Sequence, residues 1–347
     1  MKKRTLLFII ISLLLIALLS CSYACRYYYT YYRPNVCRTE KPIFIYVPLN
    51  ATFDALLDSL KSKNCLRNLH TFVRAAQKEQ LPKKIKGGRY QFTFGMNNKK
   101  MVRLMTLGLQ TPVNLIISGN IRSVERLAAV LCRSVEADSI SMLHVLTNEA
   151  LIRQMGFDST SLFSLILPNT YEVYWNTPPD KIIERLYKEY HFFWNEARRD
   201  KAASIGLSIL QVSTLASIVH EETNYKPEMP TIAGVYINRL KTGMPLQADP
   251  TLKFALRDPS IRRVLNRDMM VDSPYNTYMN KGLPPGPICV PSLVTIEAVL
   301  NYQKHNYLYF CASPELNGSH LFAVNYRDHT RNARAYQQAL NQRGIKR

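Results

Sequence analysis

The chain has 347 residues, 47% hydrophobic and 20% charged, which is typical of a folded protein with room for two domains and a tail. Its formal net charge of +20 favours anionic surroundings such as nucleic acid, acidic lipid or a cell wall. No helix-turn-helix, zinc finger or RNA-binding signature accompanies this charge, so we do not expect nucleic acid as a partner. The seven cysteines form no C-x-x-C pair and no Cys/His ligand set, so the sequence predicts neither a zinc site nor a disulfide framework.

The first predicted element is an apolar helix at the N-terminus. Three basic residues at positions 2–4 precede the uncharged stretch Thr5–Cys25, which is long enough to cross a bilayer. The basic residues place the N-terminus in the cytoplasm and the bulk of the chain across the membrane. The residues leave an alternative open, because the segment 18–21 fits a lipobox, at which a peptidase cuts before Cys21 and the cysteine is lipidated. In both cases the protein is tethered to a membrane and faces the periplasm.

Residues 42–110 predict a small domain of strands and helices, separated from the transmembrane anchor 1–25 by a polar linker, 26–41. Alternating apolar residues predict one strand over Pro42–Asn50 and a second one after the glycine pair at 87–88. Helical periodicity predicts two helices between the strands and one after them. These helices are Phe53–Leu60, Cys65–Ala76 and Met101–Leu109.

Residues 111–347 predict a larger, mixed α/β domain. It begins with a strand over Pro112–Ser118 and continues with helices, of which Lys181–Arg199 is the longest. Near the C-terminus, Tyr307–Cys311 and His320–Asn325 predict a β-hairpin. Together with the small domain, these elements predict an α+β fold class.

The helix that ends near residue 222 carries a carboxylic acid among aliphatic residues. Four residues at i, i+3, i+4 and i+7 share one face; they are Leu215, Ile218, Val219 and Glu222. Glu221 points about 100° away, with Thr214 and Ser217 on a more polar side. Burial raises the pKa of a carboxyl group, and a glutamic acid that stays protonated near neutral pH can protonate a leaving group. The alternative is a helix end whose last position has emerged into water.

Many uncharged hydrogen-bonding side chains follow this acid along the chain. They belong to Asn238-Arg239, Gln247, Asp249-Pro250-Thr251 and Tyr275-Asn276-Thr277. Such a set suits a sugar, whose hydroxyl and acetamido groups need donors and acceptors. Two positions have simpler explanations, because Asp249 can cap a turn with Pro250 and Tyr275 can be a core residue. The HEET sequence at 220–223 lacks the second histidine of H-E-x-x-H, so it does not predict a metal site.

Five blocks of the sequence resemble the endolytic murein transglycosylase family of the MltG or YceG type. They are ASIVHEET at 216–223, VYINRL at 235–240, MPLQADPT at 244–251, SPYNTY at 273–278 and GLPPGPI at 282–288. The blocks come in the family's order and at similar spacing. The resemblance implies an uncut single-pass anchor in the inner membrane, rather than lipidation at Cys21. It also implies that residues 42–110 form a LysM-like domain; a spacer domain without sugar contacts is the alternative.

The resemblance implies an endolytic peptidoglycan lytic transglycosylase, which cuts the β-1,4 bond between N-acetylmuramic acid and N-acetylglucosamine within nascent strands and so terminates their elongation. Its acid, Glu222 here, protonates the glycosidic oxygen and then accepts the proton of the muramic acid 6-hydroxyl, which attacks C1. The product is a 1,6-anhydro end, and no metal or cofactor takes part. Side chains that the resemblance places along the glycan are Asn238, Gln247, Asp249, Thr251, Tyr275, Asn276 and Asn325.

The resemblance also implies partners among the penicillin-binding proteins, the synthases of peptidoglycan. His220 stands where many relatives carry a glutamate, which leaves Glu222 intact. Two further functions remain open: a hydrolytic muramidase that uses the same acid with water, and a non-catalytic peptidoglycan-binding scaffold. The basic charge and the LysM-like region would support the scaffold.

Overall fold

The computed structural model describes residues 2–38, 40–258, 261, 265 and 267–344. The predicted segments 1–25, 26–41 and 111–347 each include residues outside this described part. Contacts divide the chain into two compact units. The first unit comprises Met1–Asn114, Ser134–Glu136 and Glu172–Thr177, and the second comprises Leu115–Arg133, Ala137–Tyr171 and Pro178–Arg347. The predicted small domain, 42–110, lies within the first unit, and its boundaries stay a prediction.

The described residues form α-helices and three two-stranded sheets, which pair β1 with β2, β3 with β4 and β5 with β6. Up to residue 116 the elements are α1 (Lys2–Tyr31), β1 (Ile43–Val47), α2 (Phe53–Ser62), α3 (Leu69–Lys78), α4 (Leu81–Lys84), β2 (Gly88–Phe92), α5 (Asn98–Leu107) and β3 (Val113–Ile116). Up to residue 222 they are α6 (Val124–Leu131), α7 (Ser139–Leu146), α8 (Glu149–Gln154), α9 (Leu162–Leu165), β4 (Thr170–Val173), α10 (Pro179–Phe193), α11 (Glu196–Ser204) and α12 (Ile209–Glu222). The remainder are α13 (Met229–Lys241), α14 (Asp249–Ala255), α15 (Leu293–Leu300), β5 (Tyr309–Ala312), β6 (His320–Ala323) and α16 (Tyr326–Gln342), with short 3-10 turns at Lys226–Glu228 and Asp268–Met270.

Helix α1 is apolar, exposed and long enough to cross a membrane, with a mean hydropathy of 2.7 in its most apolar part. It is therefore compatible with a single-pass membrane anchor. The helix continues to Tyr31, so residues 26–31, which the sequence assigned to a linker, are helical. Thr30 and Tyr31 are buried in the first unit, where the Asn98 side chain donates a hydrogen bond to the Thr30 carbonyl at 2.8 Å. This packing explains why the helix continues beyond the apolar segment that ends at Cys25.

The first unit has its core between one antiparallel sheet and several helices. Strands β1 and β2 pair in a register that sets Ile43 opposite Phe92 and Ile45 opposite Tyr90. Ile45, Tyr90 and Phe92 are fully buried, together with Phe72 of α3. The predicted order of strand, helix, helix, strand and helix is confirmed, with the short α4 added before β2.

Helix α12 lies at the centre of the second unit, in contact with α9, α11, α13, α14 and α15. Every residue from Val212 to Val219 is buried. The prediction of a polar side at Thr214 and Ser217 is therefore wrong. Their hydroxyls donate to the carbonyls of Leu210 at 2.8 Å and Thr214 at 2.7 Å. Because each hydroxyl has a partner inside the helix, both side chains can be buried at little cost.

A helix cap divides one of the other predicted elements, and a second predicted element is confirmed. The predicted helix Lys181–Arg199 is two helices, α10 and α11, because Asn195 interrupts it and caps α11 by accepting the backbone N–H of Arg198 at 3.1 Å. The predicted hairpin near the C-terminus is confirmed as β5 and β6, which pair antiparallel.

Gly234 tests the packing of α13 against the loop that follows α15. A Cβ at this position would lie 2.5 Å from the carbonyl oxygen of Gln303 and 2.6 Å from Nε2 of His305. We expect Gly234→Ala to lower the free energy of unfolding by about 1–3 kcal/mol, measured by urea denaturation. Helix propensity alone predicts the opposite, a gain of about 1 kcal/mol.

Lys188→Ala, on the exposed face of α10, is the control for a helix substitution without a steric conflict. It should change the free energy of unfolding by no more than about 0.5 kcal/mol. A Gly234→Ala variant that is as stable as the parent chain would contradict the close approach.

Candidate active site

The last residue of α12 is the candidate catalytic acid. A capping box fixes the first turn of the helix: Ser208 Oγ accepts the N–H of Gln211 at 3.2 Å, and the Gln211 side chain accepts the N–H of Ser208 at 2.8 Å. With this start, Leu215, Ile218 and Val219 are fully buried, as the periodicity predicts. Glu222 follows on the same face at the point where the helix ends.

A tyrosine on the neighbouring helix holds the carboxyl group of Glu222. The Tyr236 hydroxyl donates a hydrogen bond to Glu222 Oε1 at 2.6 Å. Tyr236 lies on α13, is only 1% exposed, and packs its ring edge-on against Phe310 with the centroids 5.8 Å apart. Burial raises the pKa of Tyr236 well above its ordinary value, so the hydroxyl stays protonated and acts as a donor.

Burial raises the pKa of Glu222 to about 7. The hydrogen bond from Tyr236 opposes this shift, the nearby Asp249 carboxylate adds to it, and Lys253 and Arg239 oppose it. Near neutral pH the group is therefore present in both its acid and its carboxylate form. A side chain of this kind can give a proton and take one back within a single reaction.

The carboxyl group opens onto a cleft of about 650 Å³ in the second unit. Its walls come from the end of α12, from the β5–β6 turn and from the C-terminal part of α16. The residues that line it are Glu222, Thr223, Asn224, Tyr225, Ala312, Ser313, Leu316, Asn317, Gly318, Ser319, His320, Tyr336 and Leu340. Among these described residues Glu222 is the one carboxylic acid, and the remaining polar groups are uncharged amides and hydroxyls or a histidine. Such a lining suits a neutral, hydroxyl-rich ligand.

A contact between a carboxylate and a histidine at one wall of the cleft was not found from the sequence. Glu228 accepts the backbone N–H of His320 at 3.0 Å, and its Oε2 lies 2.9 Å from Nδ1 of the same histidine. His320 begins β6, so this contact fastens the hairpin beside the acid. The two residues lie far apart in the sequence, and no local pattern connects them.

Asp249 is the predicted sugar-site residue that acts most directly on Glu222, through its charge. It accepts a hydrogen bond from the Tyr278 hydroxyl at 2.5 Å. Asp249 begins α14, so in place of the alternative, a turn capped together with Pro250, it lies at a helix N-terminus. Gln247 precedes it, exposed and with a left-handed backbone (φ 49°).

Three other predicted residues use their polar groups inside the protein. Asn238 donates to the carbonyls of His305 at 2.7 Å and Tyr307 at 3.0 Å. The Thr251 hydroxyl donates to the Ala248 carbonyl at 2.7 Å and lies 2.8 Å from Oγ1 of Thr277. Asn276 donates to the carbonyls of Met269 and Val271. In the described residues these side chains therefore shape the loops around α13 and α14.

The last two predicted residues, like the five described above, are not among the residues that line the cleft at Glu222. Asn325 caps α16 by accepting the N–H of Asp328 at 2.9 Å. Tyr275 is half-buried, with its ring 4.7 Å from that of Phe254, and lines a second groove. A role for either residue in sugar binding stays a prediction.

The pKa of Glu221 is lowered, whereas that of its neighbour Glu222 is raised. Its side chain is 7% exposed, and both of its carboxylate oxygens accept hydrogen bonds from Arg122, with Nε 2.9 Å from Oε1. Burial acts to raise the pKa of Glu221, but the bonds and charge of Arg122 outweigh it and leave the pKa below its ordinary value. Two consecutive glutamates therefore differ in protonation because Glu221 is hydrogen-bonded to a cation and Glu222 to a neutral tyrosine.

Comparisons with known proteins extend over most of the chain. The sequence profile of the YceG-like family matches residues 45–335. A Bacillus subtilis (strain 168) protein named endolytic murein transglycosylase is 27% identical over 322 residues, which is 88% of this chain and 88% of that protein. A Streptococcus pneumoniae R6 protein of the same name is 33% identical over 175 residues, which is 48% of this chain and 31% of that protein. The crystal structure of a yceG-like protein from Listeria monocytogenes matches with a TM-score of 0.55 at 25% identity, over 84% of this chain and 99% of that chain.

The raised pKa of Glu222 predicts a pH-dependent effect on stability. The folded value of about 7 exceeds the ordinary 4.5, so the folded state keeps a proton that the unfolded state releases. The parent chain should therefore lose stability as the pH rises from about 5 to 8. Glu222→Gln removes this titration, so the stability of the variant relative to the parent should increase from pH 5 to pH 8, measured by urea denaturation.

Glu149→Gln is the matched control, because Glu149 is exposed on α8 and pairs only with Arg153 at the surface. Its stability relative to the parent should stay constant between pH 5 and pH 8. A constant difference for Glu222→Gln as well would contradict the desolvated carboxyl group.

Proposed function

This chain belongs to the YceG-like family, and we propose that it is an endolytic lytic transglycosylase that cuts murein strands. The observation that carries the proposal is a single carboxyl group, Glu222, that is desolvated at the end of α12, held by Tyr236 and open to a cleft without a second acid among its described lining residues. The Bacillus and Streptococcus relatives named endolytic murein transglycosylase support the reaction class.

The proposed reaction needs one acid because the substrate supplies its own nucleophile. Glu222 in its protonated form donates its proton to the oxygen of the β-1,4 bond between N-acetylmuramic acid and N-acetylglucosamine, and the bond to C1 breaks. The resulting carboxylate then accepts the proton of the muramic acid 6-hydroxyl as its oxygen bonds to C1. Glycosidases that use water usually require a second carboxylate to activate it or to attack C1. Asp249 raises the pKa of Glu222, but its own carboxylate accepts a hydrogen bond from the Tyr278 hydroxyl.

The other predicted site residues take two kinds of role in this proposal. Gln247 and Asp249, exposed before and at the start of α14, are proposed to contact the sugar. The amide and hydroxyl groups of Asn238, Thr251 and Asn276 are proposed to position the loops around α13 and α14 through backbone contacts. Tyr275 and Asn325 are proposed to contact the strand farther from the cleaved bond; these two roles rest on the family motif alone.

The proposal extends to the rest of the chain. Helix α1 anchors the protein in the inner membrane and places both units in the periplasm, which agrees with the basic residues that precede it. Residues 42–110 act as a LysM-like domain that holds glycan, supported by their order of strands and helices. A protein that limits the length of nascent strands would work beside peptidoglycan synthases such as the penicillin-binding proteins.

The two adjacent glutamates give a paired test of the reaction. We expect Glu222→Gln to fold normally and to form no anhydro ends from purified murein, because the proton donor is gone. Glu221→Gln should still form anhydro ends. Its free energy of unfolding should fall by about 1–3 kcal/mol, because it leaves half-exposed Arg122 without its buried partner.

Mass spectrometry of the products reads the outcome, since an anhydro end is one water lighter than a reducing end. Reducing ends from the parent chain would identify a muramidase instead. Unchanged cleavage by Glu222→Gln would exclude this residue as the acid.

Tyr236→Phe tests the partner of the acid. The ring and its contact with Phe310 remain, but the donor that lowers the pKa of Glu222 is lost. We expect the alkaline limb of the kcat/KM profile to move to higher pH, and the rate to fall about tenfold because the carboxyl group is no longer oriented.

Tyr171→Phe is the control, because it removes another buried hydroxyl in the same unit, which donates to the Leu167 carbonyl at 2.6 Å. This variant should lose stability without a change in the pH profile. If the two variants have the same profile, Tyr236 does not tune the acid.

A further inference from the structure

A second groove lies on the other side of the helix end that carries the acid. It has a volume of about 1090 Å³ and lies entirely within the second unit. Glu221 lines this groove, whereas Glu222 lines the cleft described above. Because consecutive residues of a helix point about 100° apart, the two openings flank the last turn of α12.

Helix α14 connects this groove to the acid. Its first residue, Asp249, raises the pKa of Glu222, and Lys253, one turn later, lines the groove and lowers that pKa. Both charges therefore lie close enough to Glu222 to act on it. Helix α14 also packs against α12, whose last residue is Glu222, so the groove and the acid lie on the same pair of helices.

The groove carries charges of both signs. Its cations are Arg126, Lys253 and Arg257, of which the two arginines are exposed. Arg122 also lines it but is neutralised by Glu221. Glu125 supplies an exposed carboxylate, whose pKa is lowered by hydrogen bonds from its own backbone N–H and from Ser123. The arrangement therefore offers partners to carboxylates and to an ammonium group at once.

An aromatic surface completes the lining. The rings of Phe254 and Tyr275 lie 4.7 Å apart at an interplanar angle of 52°, and both are half-buried. Such a pair offers apolar contact to short alkyl side chains. Mixed charge beside an apolar surface distinguishes this groove from the cleft at Glu222, whose other described polar groups are amides, hydroxyls and one histidine.

We propose that this groove binds the short peptide attached to muramic acid, so that the enzyme reads a peptide-bearing strand beside the bond that it cuts. The inference rests on the proposed function, because it takes murein as the substrate. A murein peptide carries free carboxylates, the ammonium group of a diamino acid and the methyl groups of alanine. Arg126 and Arg257 pair with the carboxylates, Glu125 with the ammonium group, and Phe254 with the methyl groups.

The mixed charge argues for a peptide over the other anionic polymers of a cell envelope. A polyphosphate chain has no positive group to match Glu125, and a like charge close to phosphate is unfavourable. A bare glycan has no charge to match the three cations. The peptide is the component of murein that satisfies both.

The test measures binding of the peptide separately from cleavage. The probe is a fluorescent murein tripeptide with a D-glutamyl residue and a diamino acid, labelled at its N-terminus, where muramic acid would be attached. The protein is the full chain in detergent, with Glu222→Gln present so that no strand is cut. We expect Arg126→Gln with Arg257→Gln to raise the Kd of the probe about tenfold in a fluorescence anisotropy titration.

Two matched variants control for charge and for folding. Arg153→Gln with Arg185→Gln removes the same charge from surface ion pairs on α8 and α10 and should leave the Kd unchanged. Arg126→Lys with Arg257→Lys keeps the charge and should restore most of the affinity. If the parent does not bind the probe, or if both Gln pairs weaken binding equally, the proposal is overturned.

A competitor and an activity assay separate the remaining explanations. The competitor is poly(glycerol phosphate), added at the same concentration of negative charges as the probe. If it displaces the probe, the groove is a general polyanion site and the peptide assignment is overturned. In the chain with Glu222 intact, the Arg126→Gln and Arg257→Gln pair should slow cleavage of peptide-bearing strands about tenfold and leave peptide-free strands unaffected. Equal slowing of both substrates would contradict a peptide site. If the parent chain forms no anhydro ends but still binds the peptide, the proposed reaction is contradicted and the peptide site stands.

Discussion

The hydrogen bond between Tyr236 and Glu222 is the interaction on which the candidate site depends. Burying a carboxyl group is unfavourable for its charged form, and the charges of Lys253 and Arg239 only partly offset this effect at Glu222. The protein supplies a neutral donor, which fixes one carboxyl oxygen and leaves the group free to change protonation state. A cation in the position of Tyr236 would have held Glu222 permanently ionised, as Arg122 does to Glu221. The difference between the two glutamates is therefore the difference between their partners.

Periodicity predicted the position of the acid because it reports which side of a helix is buried. Leu215, Ile218 and Val219 are in the core, and Glu222 continues their face. The same reasoning failed for Ser217, since a helix covered on all sides has no polar face, and a hydroxyl can be satisfied within its own helix. Hydropathy alone cannot distinguish these two situations. The antiparallel hairpin of β5 and β6 was predicted because alternation and a turn are both local signals.

The side-chain contacts around the acid could not be predicted in the same way. Tyr236 and Glu228 reach their partners through the packing of separate elements, and Arg122 is 99 positions from Glu221. The polar residues of the family motif illustrate a related limit. Asn238 and Asn276 are rich in donors and acceptors, as a sugar site requires, but the donors are used on backbone carbonyls of nearby loops. A sequence shows which groups can form hydrogen bonds, and the fold decides with what.

The end of α1 has a consequence for where such an enzyme can work. Residues 26–31 extend the helix beyond its apolar part by about 9 Å, and its last two residues, Thr30 and Tyr31, are buried in the first unit. With α1 in the bilayer as proposed, the first unit stays at a nearly constant height above the lipid. The first unit then samples only the thin layer of wall next to the membrane, where new material arrives.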